Sequence, residues 1–305
     1  INPRGEEKDK PQQIWTQGET QSNSAWFPTI DAPNEKTTQE IKITVNPKFS
    51  TLSNGLLISS KTNANGTRTD YWKQTKRHAP YLFMMAVGEF ALIKDSWRGI
   101  AVNYLVPPKD SVYAKGVFGN TPEMLTFYSD VLGYDYPWDK YNQIVVSDYV
   151  SGAMENTGAV IHGKWVFTTP EQQIDEHHED VVAHELFHHW FGDLVTCESW
   201  SNLPLNESFA TYGEYLWIEH KYGKLKADRH LRIDMLNYFA DTPRVDLIRF
   251  HYNDKEDMFD RHTYEKGGRI LHMLRDLVGD DAFFESLKLY LHTNEFNTVE
   301  IIYKI

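Results

Sequence analysis

Cysteine is almost absent: of 305 residues only Cys197 carries a thiol. A single cysteine excludes an intrachain disulfide and a thiolate-rich zinc cluster, and it leaves the compartment undecided. Long apolar runs are missing as well. No stretch approaches the roughly 20 residues a helix needs to cross a bilayer, so the chain reads as soluble and without membrane insertion. Basic residues are in deficit, with 31 Lys and Arg against 43 Asp and Glu and a net charge of -12. That balance repels phosphate backbones and anionic membranes, which argues against nucleic acid as a partner and favours a cationic ligand in an acidic cleft. The chain opens on Ile1 without a charged-then-apolar leader. Cytoplasmic and exported locations are both compatible with that, and the natural start is expected to lie elsewhere. Nothing in the residues sets an oligomeric state.

The hydrophobic fraction of 41% and aromatic fraction of 14% belong to a globular protein, and 305 residues suffice for two cores. From Gln39 to Trp97 the texture is that of strands, in EIKITVNP, LLISS and PYLFMMAVGEFALI, broken by Asn, Gly and Pro. Beyond Asp95, strands at 99–107 and 143–149 mix with helical patterns at 121–133, 175–192, 207–223, 224–240, 265–279 and 280–292. The expected fold class is therefore α+β, a β-rich region over 1–95 followed by a mixed α/β region over 96–305. Asn206 is the expected cap of the 207–223 helix and Gly192 the stop of the 175–192 helix.

The chemistry concentrates in 184-HELFHHWFGDLVTCESWSNLPLNESFATYGEY-215. His184 and His188 are four apart, so on a helix both imidazoles leave one face and can converge on a single ion. Glu185 is turned by roughly 100° and can reach a water on that ion rather than the ion itself. His189 points to another face, and His177 lies roughly 10 Å away along the axis, too far to share the metal. Catalytic zinc wants three protein ligands and a water, with nitrogen and oxygen donors suitable. Glu207, at the start of the next helix, is the best third donor, with Cys197 and Glu198 as rivals in the intervening loop. HExxH alone arises by chance often enough to be only suggestive.

With these residues in place, the sequence resembles the aminopeptidase N family of zinc metallopeptidases, whose pattern is HExxH, eighteen residues and a glutamate. His188 to Glu207 has that spacing. The family's GxMEN motif stands here as 152-GAMEN-156, its amino-terminal segments as 16-TQGE-19 and 27-FPTIDAP-33, and others as 190-WFGDLVT-196, 205-LNESFA-210 and 264-YEKG-267. The resemblance covers about Trp15 to Asn297. It implies a β-rich amino-terminal domain, incomplete here, then a thermolysin-like catalytic domain, with the family's carboxy-terminal helical domain absent and the tail 298-TVEIIYKI-305 departing from the family pattern.

The resemblance further implies one zinc held by His184, His188 and Glu207, with Glu185 as general base and Tyr264 as donor to the developing oxyanion. Glu155 and Glu19 would hold the ammonium of a peptide with a free amino terminus, Glu207 also serving that neighbourhood. Gly152, Ala153, Met154 and Asn156 would flank the substrate backbone along a sheet edge. The expected function is zinc-dependent hydrolysis of the amino-terminal peptide bond. The competing expectations are a catalytically silent zinc-binding fragment, a thermolysin-like endopeptidase and, with no specific residue in its favour, an epoxide hydrolase.

Overall fold

The computed structural model describes residue 8 and residues 10–167, 178–240 and 245–301. The polar start at 1–7, the expected helical residues 175–177 with His177, and the tail 302–305 lie outside the described residues. The chain packs as two compact units, one made of residues 1–31, 35–122 and 138–179, the other of 32–34, 123–137 and 180–305. The order along the chain is β-rich first and mixed α/β after it. No helix among the described residues is long and apolar enough to cross a membrane.

The first unit is built on three sheets. Strands Thr37–Val45, Arg68–His78 and Leu56–Thr62 form an antiparallel sheet, and Gln13–Trp15, Met85–Gly88 and Ser50–Ser53 form another. The third is mixed: Lys140–Val146 runs parallel to both Ile100–Val106 and Ala159–Gly163, while Ala153–Met154 and Ala91–Ile93 pair antiparallel at its ends. All seven residues of Lys140–Val146 are buried, the burial expected of a strand covered on both faces. Trp15, Ile43, Leu52, Trp72 and Met84 share one core with Leu105, Ile144, Val146 and Ile161. The apolar run at 80–93 is not one strand, because Pro80–Leu82 forms a tight helical turn before Met85–Gly88 and Ala91–Ile93. Proline at the first position fixes the helical φ there and carries no N–H for a ladder.

His78 and His162 are fully buried in this unit, and burial pushes both imidazoles down to about 3. His162 Nε2 bonds Gln143 Oε1 at 3.0 Å, and His78 Nδ1 meets Thr157 Oγ1 at 3.1 Å. Between pH 6.5 and about 3 the unfolded chain binds protons that the folded chain refuses. The stability these neutral rings allow is thus complete above pH 6.5 and lost as pH falls, by about 1.4 kcal/mol per pH unit for each ring. In urea unfolding at pH 7, 6 and 5, His162→Gln, which keeps an Nε2 donor, is expected to lower the pH slope of stability by one proton relative to the wild type. An unchanged slope in that variant would contradict the assignment.

Helix α1 (Ala114–Phe118) belongs to the first unit, and α2 (Thr121–Leu132) belongs to the second from residue 123 onward. There, α3 (Glu179–Phe187), α4 (Pro204–Tyr222), α5 (Lys224–Ala240), α6 (Gly267–Val278) and α7 (Asp280–Asn294) follow in order. α3 stops at Phe187, short of Gly192, because its last turn tightens: His189 and Trp190 donate to carbonyls three residues back. His188 N still bonds His184 O at 3.2 Å, so the one-turn relation of the two histidines survives. α4 starts at Pro204, three residues before Glu207, which puts Asn206 in its first turn. Asn206 Oδ1 accepts from Cys197 N at 3.1 Å, an anchor for the preceding loop rather than a cap.

Candidate functional site

The second unit brings a histidine pair and a carboxylate together through a close helix approach. A Cβ at Gly213 of α4 would fall 2.5 Å from Phe187 Cγ of α3. Only glycine permits that distance, which explains a residue that costs about 1 kcal/mol against alanine inside a helix. The result is that Glu207 Oε2 sits 3.2 Å from His184 Nε2 and 3.3 Å from His188 Nε2. Glu207 and His188 are buried, and His184 is 12% exposed.

The other ring nitrogens decide what those Nε2 atoms can do. His184 Nδ1 lies 2.7 Å from Glu214 Oε1, and His188 Nδ1 lies 3.1 Å from the Phe191 carbonyl. Both partners only accept, so each Nδ1 carries a proton and donates it, leaving a lone pair on each Nε2. Two lone pairs and a carboxylate oxygen converging in a buried site repel unless positive charge lies between them. Burial opposes charge on His184, yet Glu207 and Glu214 raise its pKa well above the ordinary imidazole value. Burial would lift Glu207, but His188 and His184 hold it below the usual carboxylate range. A proton answers the demand in the absence of metal; a divalent cation answers it with three donors at once. Nitrogen, nitrogen and oxygen ligands on a helix pair are a donor set that suits zinc and leaves room for a water.

The rivals of Glu207 are engaged elsewhere. Cys197 is buried in the short strand Thr196–Cys197, which pairs parallel with Thr298–Val299. Glu198 accepts from Asn34 Nδ2 at 2.9 Å and from the Thr298 hydroxyl. His189 is also occupied, its Nδ1 3.0 Å from the Glu185 carbonyl. Glu185 is 6% exposed, and one of its carboxylate oxygens lies within 4.8 Å of a ring nitrogen of His188.

Tyr264 comes from a separate segment. Its ring is stacked on that of His184 with centroids 6.1 Å apart. It lies in a widened turn, His262–Lys266, of the π-helical kind that recurs at functional positions. This turn is pressed onto α4: Ser208 Oγ donates to the Thr263 carbonyl at 2.6 Å, and a Cβ at Gly267 would fall 1.8 Å from that same Oγ. Bulk at 267 is therefore excluded.

The first unit carries the other predicted residues. Ala153–Met154 forms an edge strand, with Ala153 opposite His162 and Met154 opposite Ile161. Gly152 is exposed, and a Cβ there would make only ordinary contact with Trp165 at 3.8 Å. Its carbonyl accepts from Trp165 Nε1 at 2.9 Å. Met154 Sδ accepts from Gln17 Nε2 at 3.2 Å, which ties the strand to the TQGE segment. Glu155 is buried and accepts from the Tyr81 hydroxyl at 3.4 Å. Carboxylate oxygens of Glu19 and Glu155 lie within 4.8 Å of one another. Asn156 is fully buried, and its carbonyl accepts from Ala159 N at 2.7 Å. The following loop is fixed by Asn54 Nδ2 on the Thr157 carbonyl at 3.1 Å and by Lys140 Nζ on the Gly158 carbonyl at 2.9 Å.

Reasoning from sequence missed Glu214, although its seven-residue offset from Glu207 places both on one face of α4 and could have flagged it. His230, whose Nε2 lies 3.0 Å from Glu214 Oε2, belongs to no motif.

HExxH histidines one turn apart at the end of α3, facing a glutamate on the next helix, define a candidate metal centre of the metallopeptidase type. Residues 117–302 match the Peptidase family M1 domain and residues 4–82 the Peptidase M1 N-terminal domain; the chain belongs to peptidase family M1. It is 29% identical over 300 residues to endoplasmic reticulum aminopeptidase 1 of Rattus norvegicus, covering 93% of this chain and 32% of the relative. Aminopeptidase M1 of Arabidopsis thaliana is 28% identical over 305 residues, covering 96% and 34%. Probable aminopeptidase 1 of Saccharolobus solfataricus is 28% identical over 296 residues, covering 94% and 38%. The chain thus spans about a third of the length of the curated relatives it matches. Zinc is the metal the family implies, and the His-His-Glu donors fit it.

Proposed function

We propose that this chain is a zinc-dependent aminopeptidase, binding one Zn²⁺ at His184, His188 and Glu207 and hydrolysing the amino-terminal bond of peptides with a free amine. The observation that carries the reading is the convergence of Glu207 Oε2 on two Nε2 atoms at 3.2 and 3.3 Å. Zinc, when bound, polarises the scissile carbonyl and lowers the pKa of water. Glu185 takes a proton from the attacking water and delivers it to the leaving amine. Tyr264 donates its phenolic hydrogen to the oxygen on which negative charge builds; Tyr264→Phe is expected to lower kcat with little change in KM, and an unaltered kcat would remove that role.

Glu155 and Glu19 receive the substrate ammonium, since a charge-assisted bond to a cation is strong where water is excluded. Ala153 and Met154 offer the edge-strand backbone to the substrate, Gly152 leaves space for close approach, and Asn156 supports the turn beneath them. We put the domain boundary near residue 95, a reading compatible with family matches that end at 82 and begin at 117. An aminoacyl anilide incubated with the zinc-loaded chain tests the activity. Hydrolysis that stops on chelation and returns with zinc is expected; none from a chain holding stoichiometric zinc would favour a silent binding module.

A further inference from the structure

We propose that His230 is a positioning residue for the metal centre, acting through Glu214 to fix the orientation of His184. The inference rests on the reading that His184, His188 and Glu207 hold zinc. Three helices contribute to one chain of polar contacts. His184 Nδ1 of α3 lies 2.7 Å from Glu214 Oε1 of α4, and Glu214 Oε2 lies 3.0 Å from His230 Nε2 of α5. Each oxygen of one carboxylate is thus taken by a different imidazole, and the carboxylate plane has no freedom to turn. Asp234, one turn further along α5, stands 3.8 Å from His230 Nε2. All three residues of the chain are largely shielded, with His184, Glu214 and His230 exposing 12%, 16% and 17% of their side chains.

The arrangement has a chemical consequence at the metal. A carboxylate accepting Nδ1–H would make the opposite Nε2 a stronger donor toward a metal and fixes the orientation of the ring. Burial works against charge on His230, but Glu214 and Asp234 raise its pKa to about 9. Removing His230 leaves Glu214 anchored on one oxygen only, free to rotate away from His184.

Asp180, Glu214 and His230 also offer atoms within 4.8 Å of one another, a spacing open to a cation, and the test separates that from positioning. Zinc dissociation constants by chelator competition, the visible spectrum of the cobalt-substituted chain and the melting point without metal would be measured for the wild type, His230→Leu and His230→Gln. Glutamine presents its amide nitrogen near the position of Nε2. His230→Leu is expected to weaken zinc about tenfold and shift the cobalt bands at an unchanged metal-free melting point, whereas His230→Gln stays within about threefold of the wild type. If His230→Leu fails to fold, His230→Asn replaces it, because its shorter amide cannot reach Glu214, and the same loss is expected. Wild-type affinity and spectrum in His230→Leu, or an affinity loss matched by lost metal-free stability and not rescued by glutamine, would overturn the proposal. So would a second zinc equivalent in the wild type that His230→Leu abolishes, since His230 would then be a ligand. A wild-type chain that binds no zinc at all would instead overturn the reading of the metal centre itself.

Discussion

Glu185→Gln is expected to bind zinc as the wild type does and to turn over an aminoacyl anilide about 10²–10⁴-fold more slowly. The separation of the two effects follows from where Glu185 stands. It is one residue past His184 on α3, so its side chain leaves the helix roughly 100° away from the histidine pair. The three converging donors are His184, His188 and Glu207, which leaves the Glu185 carboxylate beside the centre, within 4.8 Å of a His188 ring nitrogen and nearly buried. Glutamine keeps its shape and loses only the ability to take a proton. Wild-type turnover in this variant would end the general-base assignment, and loss of zinc with turnover would make Glu185 a ligand instead.

Acetylating the amino group of a peptide substrate is expected to abolish its cleavage, and Glu155→Gln to lower kcat/KM for the free amine by about 10–100-fold, the weight of one charged hydrogen bond. Glu155 is buried and steadied by the Tyr81 hydroxyl, with a Glu19 carboxylate oxygen within 4.8 Å. An ammonium group can make a charge-assisted bond to a carboxylate, and an acetamide cannot. Equal rates on blocked and free peptides would point to an endopeptidase.

The histidine pair was legible because helical spacing alone converts HExxH into a common face. Glu207 was legible only as the best of three acids and thiols; what separates it from Cys197 and Glu198 is tertiary, namely the pairing of Thr196–Cys197 with Thr298–Val299 and the bonds of Glu198 to Asn34 and Thr298. Helix ends read less well than helix faces. α3 finishes at Phe187 because its final turn tightens, and α4 begins at Pro204 because proline suits a first helical turn, neither of which Gly192 or Asn206 announces. Tyr264 and Glu19 carry no local signal of chemistry and became candidates only through motif resemblance. Glu214 and His230 stayed hidden for a different reason: their contacts with His184 and with each other exist only once α3, α4 and α5 are packed.

Zinc content per chain, measured after equilibration with excess zinc and gel filtration, tests the metal centre most directly. The arrangement of His184, His188 and Glu207 predicts one equivalent in the wild type and a loss of tight binding in Glu207→Ala. A Glu207→Ala chain that still retains one equivalent at wild-type affinity would contradict it.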